Sequence, residues 1–266
     1  MKSRYSDLIP RVISALLVAI IGVPIIWYGG KIRTIFLFLI VALALFEYIK
    51  VTMPLPRKLS LCFTAFYLLF PIGVLVSGTE NGFWLLVAGI YMIGLLVISS
   101  VEFLSNEVDM QRMVHAGLGG IIYPLIPLTV LLVIDQRYSG ENLLWVLACV
   151  VSADTTAYFV GRLTGGAAMS PRISPNKTVS GAVSGILASA LVSISWGVGF
   201  EFEQPIIRLV ALGLLIGILA VVGDLFESLI KRSFGLKDLG TFMPGHGGIL
   251  DRMDAVLFSL PVIFLL

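Results

Sequence analysis

The chain has 266 residues, 58% of them hydrophobic and 13% charged, with a mean hydropathy of +1.01 and a formal net charge of +2. Soluble domains carry about 25% charged residues, so this composition excludes a soluble globular protein and describes one that lives in a lipid bilayer. The small net charge carries no polycation signature, and no nucleic-acid partner is expected.

A bilayer-spanning helix needs about 20 mainly apolar residues. Nine stretches meet that measure: 12–30, 32–49, 59–77, 82–100, 115–134, 142–161, 179–199, 206–228 and 249–266. The expected fold is therefore all-α, a polytopic integral membrane protein with about nine transmembrane helices in a single domain, 1–266. The basic start (Lys2, Arg4, Arg11) leads into an apolar run with no small-residue cleavage site, which reads as a retained first helix. Gly29-Gly30 marks a tight turn joining the first two helices into a hairpin. Pro24, Pro124 and Pro127 are expected to kink the helices that hold them. The last candidate is the least regular, because Asp251, Arg252 and Asp254 fall in its first turns. Cys62 and Cys149 lie in apolar segments, so no disulfide framework is expected.

Lys and Arg in the short loops set the orientation. With the N-terminus inside, all 18 basic residues except Lys31, Arg33, Arg137 and Arg208 fall on the cytoplasmic side. This places the 162–178 and 229–248 connections together at the cytoplasmic face of the cell membrane.

Charges at membrane depth cost about 2.5–3.5 kcal/mol on insertion scales, so each needs a reason. In the first half, residues 1–140, few need one. Glu47, beside Tyr48 and Lys50 near a helix end, reads as interfacial. Glu102, Glu107, Asp109 and Arg112 read as a solvated connection, and His115 as an interfacial residue without a ligand partner. Residues 141–266 differ. Asp154 lies well inside a helix, with Tyr158 and Arg162 following; neutralisation by Arg162 is one reading of it. The 162–178 connection holds Arg162, Arg172 and Lys177 among Ser170, Ser174, Asn176 and Thr178. It reads either as a basic loop against anionic lipid or as a phosphate cradle. Asp224, Glu227, Ser228 and Lys231 fall at i, i+3, i+4 and i+7 on one helix face. Asp251 and Asp254 stand three apart at the start of the last helix.

Carboxylates without Cys or paired His ligands favour a hard cation, Mg²⁺ ahead of Mn²⁺ or Ca²⁺. Between the two carboxylate-bearing turns, Gly245, Gly247 and Gly248 lead into a helix N-terminus, where backbone N–H groups suit phosphate oxygens.

These residues carry a resemblance. Ser228, Lys231-Arg232, Lys237-Asp238, Gly240, Pro244, His246-Gly247-Gly248 and Asp251-Arg252-x-Asp254 closely resemble the signature of the phosphatidate cytidylyltransferases (CDP-diacylglycerol synthases). Upstream, Asp154-Thr155-x-Ala157-Tyr158, Gly161-Arg162 and Ser174-Pro175-x-Lys177-Thr178 resemble that family's second conserved region. Two positions depart from it. Ser180 stands before Gly181 where the family usually has Glu, and Met243 replaces a more usual Leu, Ile or Phe.

The resemblance implies transfer of the CMP moiety of CTP to phosphatidic acid, giving CDP-diacylglycerol and pyrophosphate. It implies catalytic roles for Asp224, Asp251, Lys231, His246 and Asp154. It implies Mg²⁺ at Asp224, Asp251 and Asp254, with room for a second cation. Lys177, Arg232, Lys237, Arg252, Gly247 and Gly248 are the implied phosphate-binding residues. A homodimer is compatible with an integral enzyme of this size. Two rival readings remain. One is another CTP-dependent lipid enzyme, a lipid kinase included. The other is a cation-coupled transporter with Asp154, Asp224 and Asp251 along an ion path, against which the absence of an internal repeat counts.

Overall fold

The computed structural model describes residues 19–52, 56–77, 124–171, 173–236, 238–240 and 247–266. Four described helices are long and apolar enough to cross a membrane: α2 (Gly30–Thr52), α5 (Gly140–Thr164), α6 (Val179–Gly199) and α7 (Ile206–Ser233). Around them stand α1 (Ala19–Tyr28), α3 (Arg57–Ser77), α4 (Ile126–Arg137) and α8 (Leu250–Ser259), which continues as a 3₁₀ turn over Leu260–Leu265. The all-α membrane architecture holds. The nine-helix count does not follow from the described residues, and the candidate at 82–100 lies outside them.

Local sequence explains the boundaries. Gly29 and Gly30 take φ of 71° and 68°, a left-handed pair that glycine adopts without penalty, and α1 stops there. A Cβ placed on Gly22 would meet the Phe36 ring at 3.7 Å, so α1 faces α2 as a hairpin. Of the helix expected over 115–134, residues 124–134 are described: a π turn at 124–125 leads into α4, which carries Pro127 in its first turn. Thr178 ends the 162–178 connection as the N-cap of α6, its side chain accepting from the Gly181 N–H. That connection is not an open loop. Strands β1 (Ala168–Ser170) and β2 (Ser174–Thr178) pair antiparallel there, the one departure from an all-helical chain among the described residues.

The helices α5, α6, α7 and α8 pack in sequence order, each against the next. Small residues make the contacts. A Cβ on Gly185 would come within 2.6 Å of Ala153 O, one on Gly181 within 2.6 Å of Ala157 O, and one on Gly213 within 2.6 Å of Ala190 Cα. Serines bind across the same seams: Ser189 Oγ donates to Gly213 O at 2.8 Å and Ser193 Oγ to Leu209 O at 2.7 Å. Trp145, fully buried, donates its Nε1–H to Ser193 Oγ at 3.2 Å. One apolar core joins α2, α4, α5, α7 and α8 through residues such as Leu37, Val41, Leu132, Trp145, Ile216 and Leu257.

The two ends of the bundle differ. At one end, Arg33 pairs with Asp135 in a buried ion pair, and its guanidinium also donates to Asp135 O at 2.8 Å. There too Arg208 and Gln204 hold the last carbonyls, Leu265 O and Leu266 O, each at 2.6 Å. The other end gathers the motif residues.

The close helix contacts make a test. Gly213→Ala adds a methyl where no space exists, and overpacking of this kind costs about 1–3 kcal/mol. The melting temperature of the purified protein should fall by several degrees. Gly199→Ala, which meets nothing within 4 Å, should leave it unchanged.

Candidate active site

Three helices and the hairpin bring the motif residues together. α5 supplies Asp154; α7 supplies Asp224, Glu227, Lys231 and Arg232; α8 supplies Asp251, Arg252 and Asp254; β2 supplies Lys177. Gly223 is the reason α7 and α8 can come so close, since a Cβ there would lie 2.6 Å from Asp254 O. Lys177 reaches across from the hairpin to form an ion pair with Asp224. Arg232 Nε donates to Ile173 O at 3.3 Å, tying the end of α7 to the same hairpin. The two polar connections therefore meet at one end of the bundle.

Asp154 is exposed on α5 and lies in the field of Asp224, Asp254, Lys177 and Arg252. Arg162 does not neutralise it: Arg162 Nη1 donates to Tyr158 Oη at 2.8 Å, and its guanidinium sits 6.0 Å from the Tyr158 ring centre.

Asp251 is buried and fully engaged. Its Oδ2 accepts N–H groups from Leu239 at 2.9 Å, Gly240 at 3.2 Å and Gly248 at 2.7 Å. Its Oδ1 accepts from Leu239 at 3.0 Å and from Lys231 Nζ at 3.2 Å. A carboxylate with this many donors is held firmly in its charged form and acts here as the knot of the loop. Gly247, at φ 85°, passes so near that a Cβ would lie 2.7 Å from Asp251 Oδ2. The same geometry changes the expected part of Gly248, whose N–H points to Asp251.

Lys231 bridges two carboxylates, donating to Glu227 Oε2 at 2.5 Å as well as to Asp251. Glu227 is fully buried, and its Oε1 has no hydrogen-bond donor among the described residues. Asp254 lies against it. Two adjoining carboxyl groups, one of them fully buried, repel unless a proton or a cation stands between them. Asp224 and Asp154 add further negative charge nearby. Among the described residues no three such side chains form a ready-made metal cage. The donor set fits a hard cation on the evidence of the orphaned Glu227 oxygen.

Sequence reading underweighted two residues. Glu227 sits on the same helical face as Asp224 and Lys231, a spacing that marked it without giving it a role. Glu47 reads as interfacial, yet it is buried against the site: its Oε2 accepts the Leu250 N–H at 3.1 Å. No local pattern announces a partner 203 residues away. His246 and Lys237, expected at the site, lie outside the described residues, as do Arg172, Pro244, Met243, Glu102, Glu107, Asp109, Arg112 and His115.

Comparison with known proteins agrees with the motif. The chain is 31% identical over 267 residues to a phosphatidate cytidylyltransferase of Staphylococcus epidermidis, covering 96% of this chain and 97% of the relative. It is 33% identical over 271 residues to one of Brucella abortus, covering 98% and 93%. A third, of Staphylococcus haemolyticus, is 30% identical over 269 residues, covering 96% and 97%. Residues 9–266 match the sequence pattern of the cytidylyltransferase family. With that match running almost end to end and the motif residues assembled at one end of the bundle, the chain belongs to the cytidylyltransferase family.

Proposed function

We propose that this membrane protein transfers the CMP moiety of CTP to phosphatidic acid, forming CDP-diacylglycerol and releasing pyrophosphate. The observation that carries the reading is the convergence of Lys177, Lys231, Arg232 and Arg252 around the carboxylates of Asp154, Asp224, Glu227 and Asp254 at one end of an apolar bundle. Such a site can receive polyanions and a cation where a lipid headgroup and a water-soluble nucleotide meet.

In the reaction, a phosphate oxygen of phosphatidic acid attacks the α-phosphorus of CTP. The bond from that phosphorus to the α–β bridging oxygen breaks, and pyrophosphate leaves with the electron pair. The lipid phosphate is already anionic near neutral pH, so no strong base is required. The obstacle is repulsion between two polyanions. Lys177 and Arg232, joined through the hairpin, are placed to bind phosphate from one side, and Arg252 from α8. Lys231 is placed to follow developing charge while Glu227 and Asp251 hold it. Bound Mg²⁺ supplies charge neutralisation and alignment of the phosphates. Asp224 and Asp254 are the residues best placed to hold it, with Asp154 beside them and Glu227 Oε1 open to a second cation. Asp251, also expected as a ligand, contributes by fixing the loop and Lys231. His246, Lys237 and the backbone at Gly247 complete the expected phosphate contacts. The distribution of Lys and Arg along the sequence supports a cytoplasmic position for the site and the N-terminus.

The direct test is purified protein in detergent with CTP and phosphatidic acid, the lipid product identified by mass during a Mg²⁺ titration. Label at the α-phosphorus of CTP should enter the lipid and γ-label should leave as pyrophosphate; transfer of the γ-label to lipid would instead make the protein a kinase. Asp224→Asn should lower turnover by at least about 100-fold with membrane insertion intact, a loss typical of removing charge stabilisation at a phosphoryl centre. Near-normal turnover would remove Asp224 from the mechanism. Lys177→Ala should weaken substrate binding far more than Lys58→Ala, an exposed residue at the start of α3. Equal losses would separate the hairpin from the site.

A further inference from the structure

Glu47 lies on α2, in the half of the chain that carries no catalytic motif, and is 8% exposed. Its Oε2 accepts the Leu250 N–H, one of the first free donors of α8. Its carboxylate also lies in the space in which a Cβ on Gly240 or on Gly248 would stand; at Gly248 it is what such a Cβ would meet first, and at Gly240 the Gly248 Cα stands there too, at 2.7 Å. Those glycines have a second duty, because the N–H groups of Gly240 and Gly248 both bind Asp251 Oδ2. The backbone at 239–240 and 247–250 is thus clasped between two carboxylates, Asp251 on one side and Glu47 on the other. Glu47 Oε1 is buried, without a donor among the described residues.

Resting on the reading of this site as a cytidylyltransferase centre, we infer that Glu47 is a positioning residue: its carboxylate clasps the Gly240 and Gly248 backbone and the α8 N-terminus, and so fixes Asp251 and Lys231 for catalysis. Glu47 acts through these groups and touches no substrate. The link from α2 to the catalytic loop is a direct contact. Loss of the clasp lets the loop backbone relax toward the vacated space, and a shift of about 1 Å at a phosphoryl-transfer site is enough to cost about 100-fold in rate.

The test compares Glu47→Ala, Glu47→Gln and Leu45→Ala in the full-length protein purified in detergent. Leu45 is buried on the same helix and reports general loss of packing. Hydrogen exchange followed by mass spectrometry, without substrate or added metal, should show the 247–251 amides exchanging at least about tenfold faster in Glu47→Ala. Leu45→Ala should leave those amides protected. On turnover, Glu47→Ala should lower kcat by about 10- to 100-fold with a smaller change in KM for CTP. Glu47→Gln keeps one acceptor oxygen at the same reach and should recover most of the rate. Gly248→Ala should be severe in the wild-type background and distinctly milder beside Glu47→Ala, because the atoms it would strike are then gone. Unchanged exchange at 247–251, or strictly multiplicative losses in the Gly248→Ala pair, would overturn the inference. Loss of exchange protection throughout the helices of Glu47→Ala would also overturn it, by making Glu47 a residue of general stability. A wild-type protein that forms no CDP-lipid would instead overturn the functional reading, and the exchange result would stand apart from it.

Discussion

Close approach of α5, α6 and α7 is the constraint on which the rest of the structure depends. Within a bilayer, apolar side chains gain little by leaving lipid for one another, so helices associate through tight contact and polar bonds. Here Ala153, Ala157 and Gly161 on α5 face Gly181 and Gly185 on α6, while Gly213 and Gly217 on α7 face Ala190 and Ile186 of α6. The serine-to-carbonyl bonds of Ser189 and Ser193 lie in the second of these seams. Because the seams have no slack, the register of three helices is fixed. That register sets Asp154 near Asp224 and Lys177 within reach of both. A larger residue at any seam glycine would separate these charges as well as the helices.

The charges so gathered illustrate an electrostatic problem with a chemical use. Asp154, Asp224, Glu227 and Asp254 concentrate negative charge in an apolar bundle, where each would be costly alone. Lys177 and Lys231 offset part of it through ion pairs, and Asp251 is satisfied by backbone donors. Among the described residues Glu227 Oε1 has no donor, while Asp254 Oδ1 accepts the Ala255 N–H at 2.8 Å. In the proposed reaction this excess of carboxylate over base would attract a divalent cation, and the cation would in turn attract phosphate. The bases at its edge then meet the rest of a polyphosphate. Two layers of opposite charge thus let a protein of nearly neutral composition handle two anionic substrates.

The sequence showed the motif residues clearly because their spacing is periodic or contiguous. Asp224, Glu227 and Lys231 recur on one helical face, and Asp251 and Asp254 on another, so their helix placement could be read before any coordinates. The bilayer class was legible for a similar reason: it depends on composition summed over about 20 residues. Pairings across the chain were not legible. Nothing near Glu47 distinguishes an interfacial acid from one that clasps the 247–250 segment, since its partners arrive through packing of α2 on α8. Nor does the run of residues 162–178 show strand periodicity. Its strands of three and five residues are defined by the closure at Thr178 and by the glycines that end α5. Asp251 was expected as a cation ligand and the Gly247-Gly248 backbone as a phosphate site; in the structure the Asp251 carboxylate itself accepts the N–H groups of Leu239, Gly240 and Gly248, a pairing that only the folded loop creates.

Ser180 shows how a departure from a family pattern can be absorbed locally. Its Oγ donates to Gly165 O, and the Thr164 and Thr178 hydroxyls each lie 3.1 Å from it. Gly165 and Gly166 turn the chain out of α5 with φ of 64° and 113°, and the Gly165 carbonyl would otherwise lack this side-chain donor. A glutamate carboxylate in the same place could not donate to a carbonyl, so the two residues cannot do the same work. Ser180 closes the base of the hairpin that carries Lys177, three residues away. Its short reach keeps it at that base and leaves Lys177 as the residue of this segment in direct contact with Asp224. The negative charge a glutamate would bring to the hairpin is therefore absent from this chain. The charge balance of the site then rests more heavily on the carboxylates of α5, α7 and α8. Asp154, Asp224, Glu227 and Asp254 stand on helices that pack through close glycine contacts, Gly185 and Gly213 among α5, α6 and α7, and Gly223 against α8.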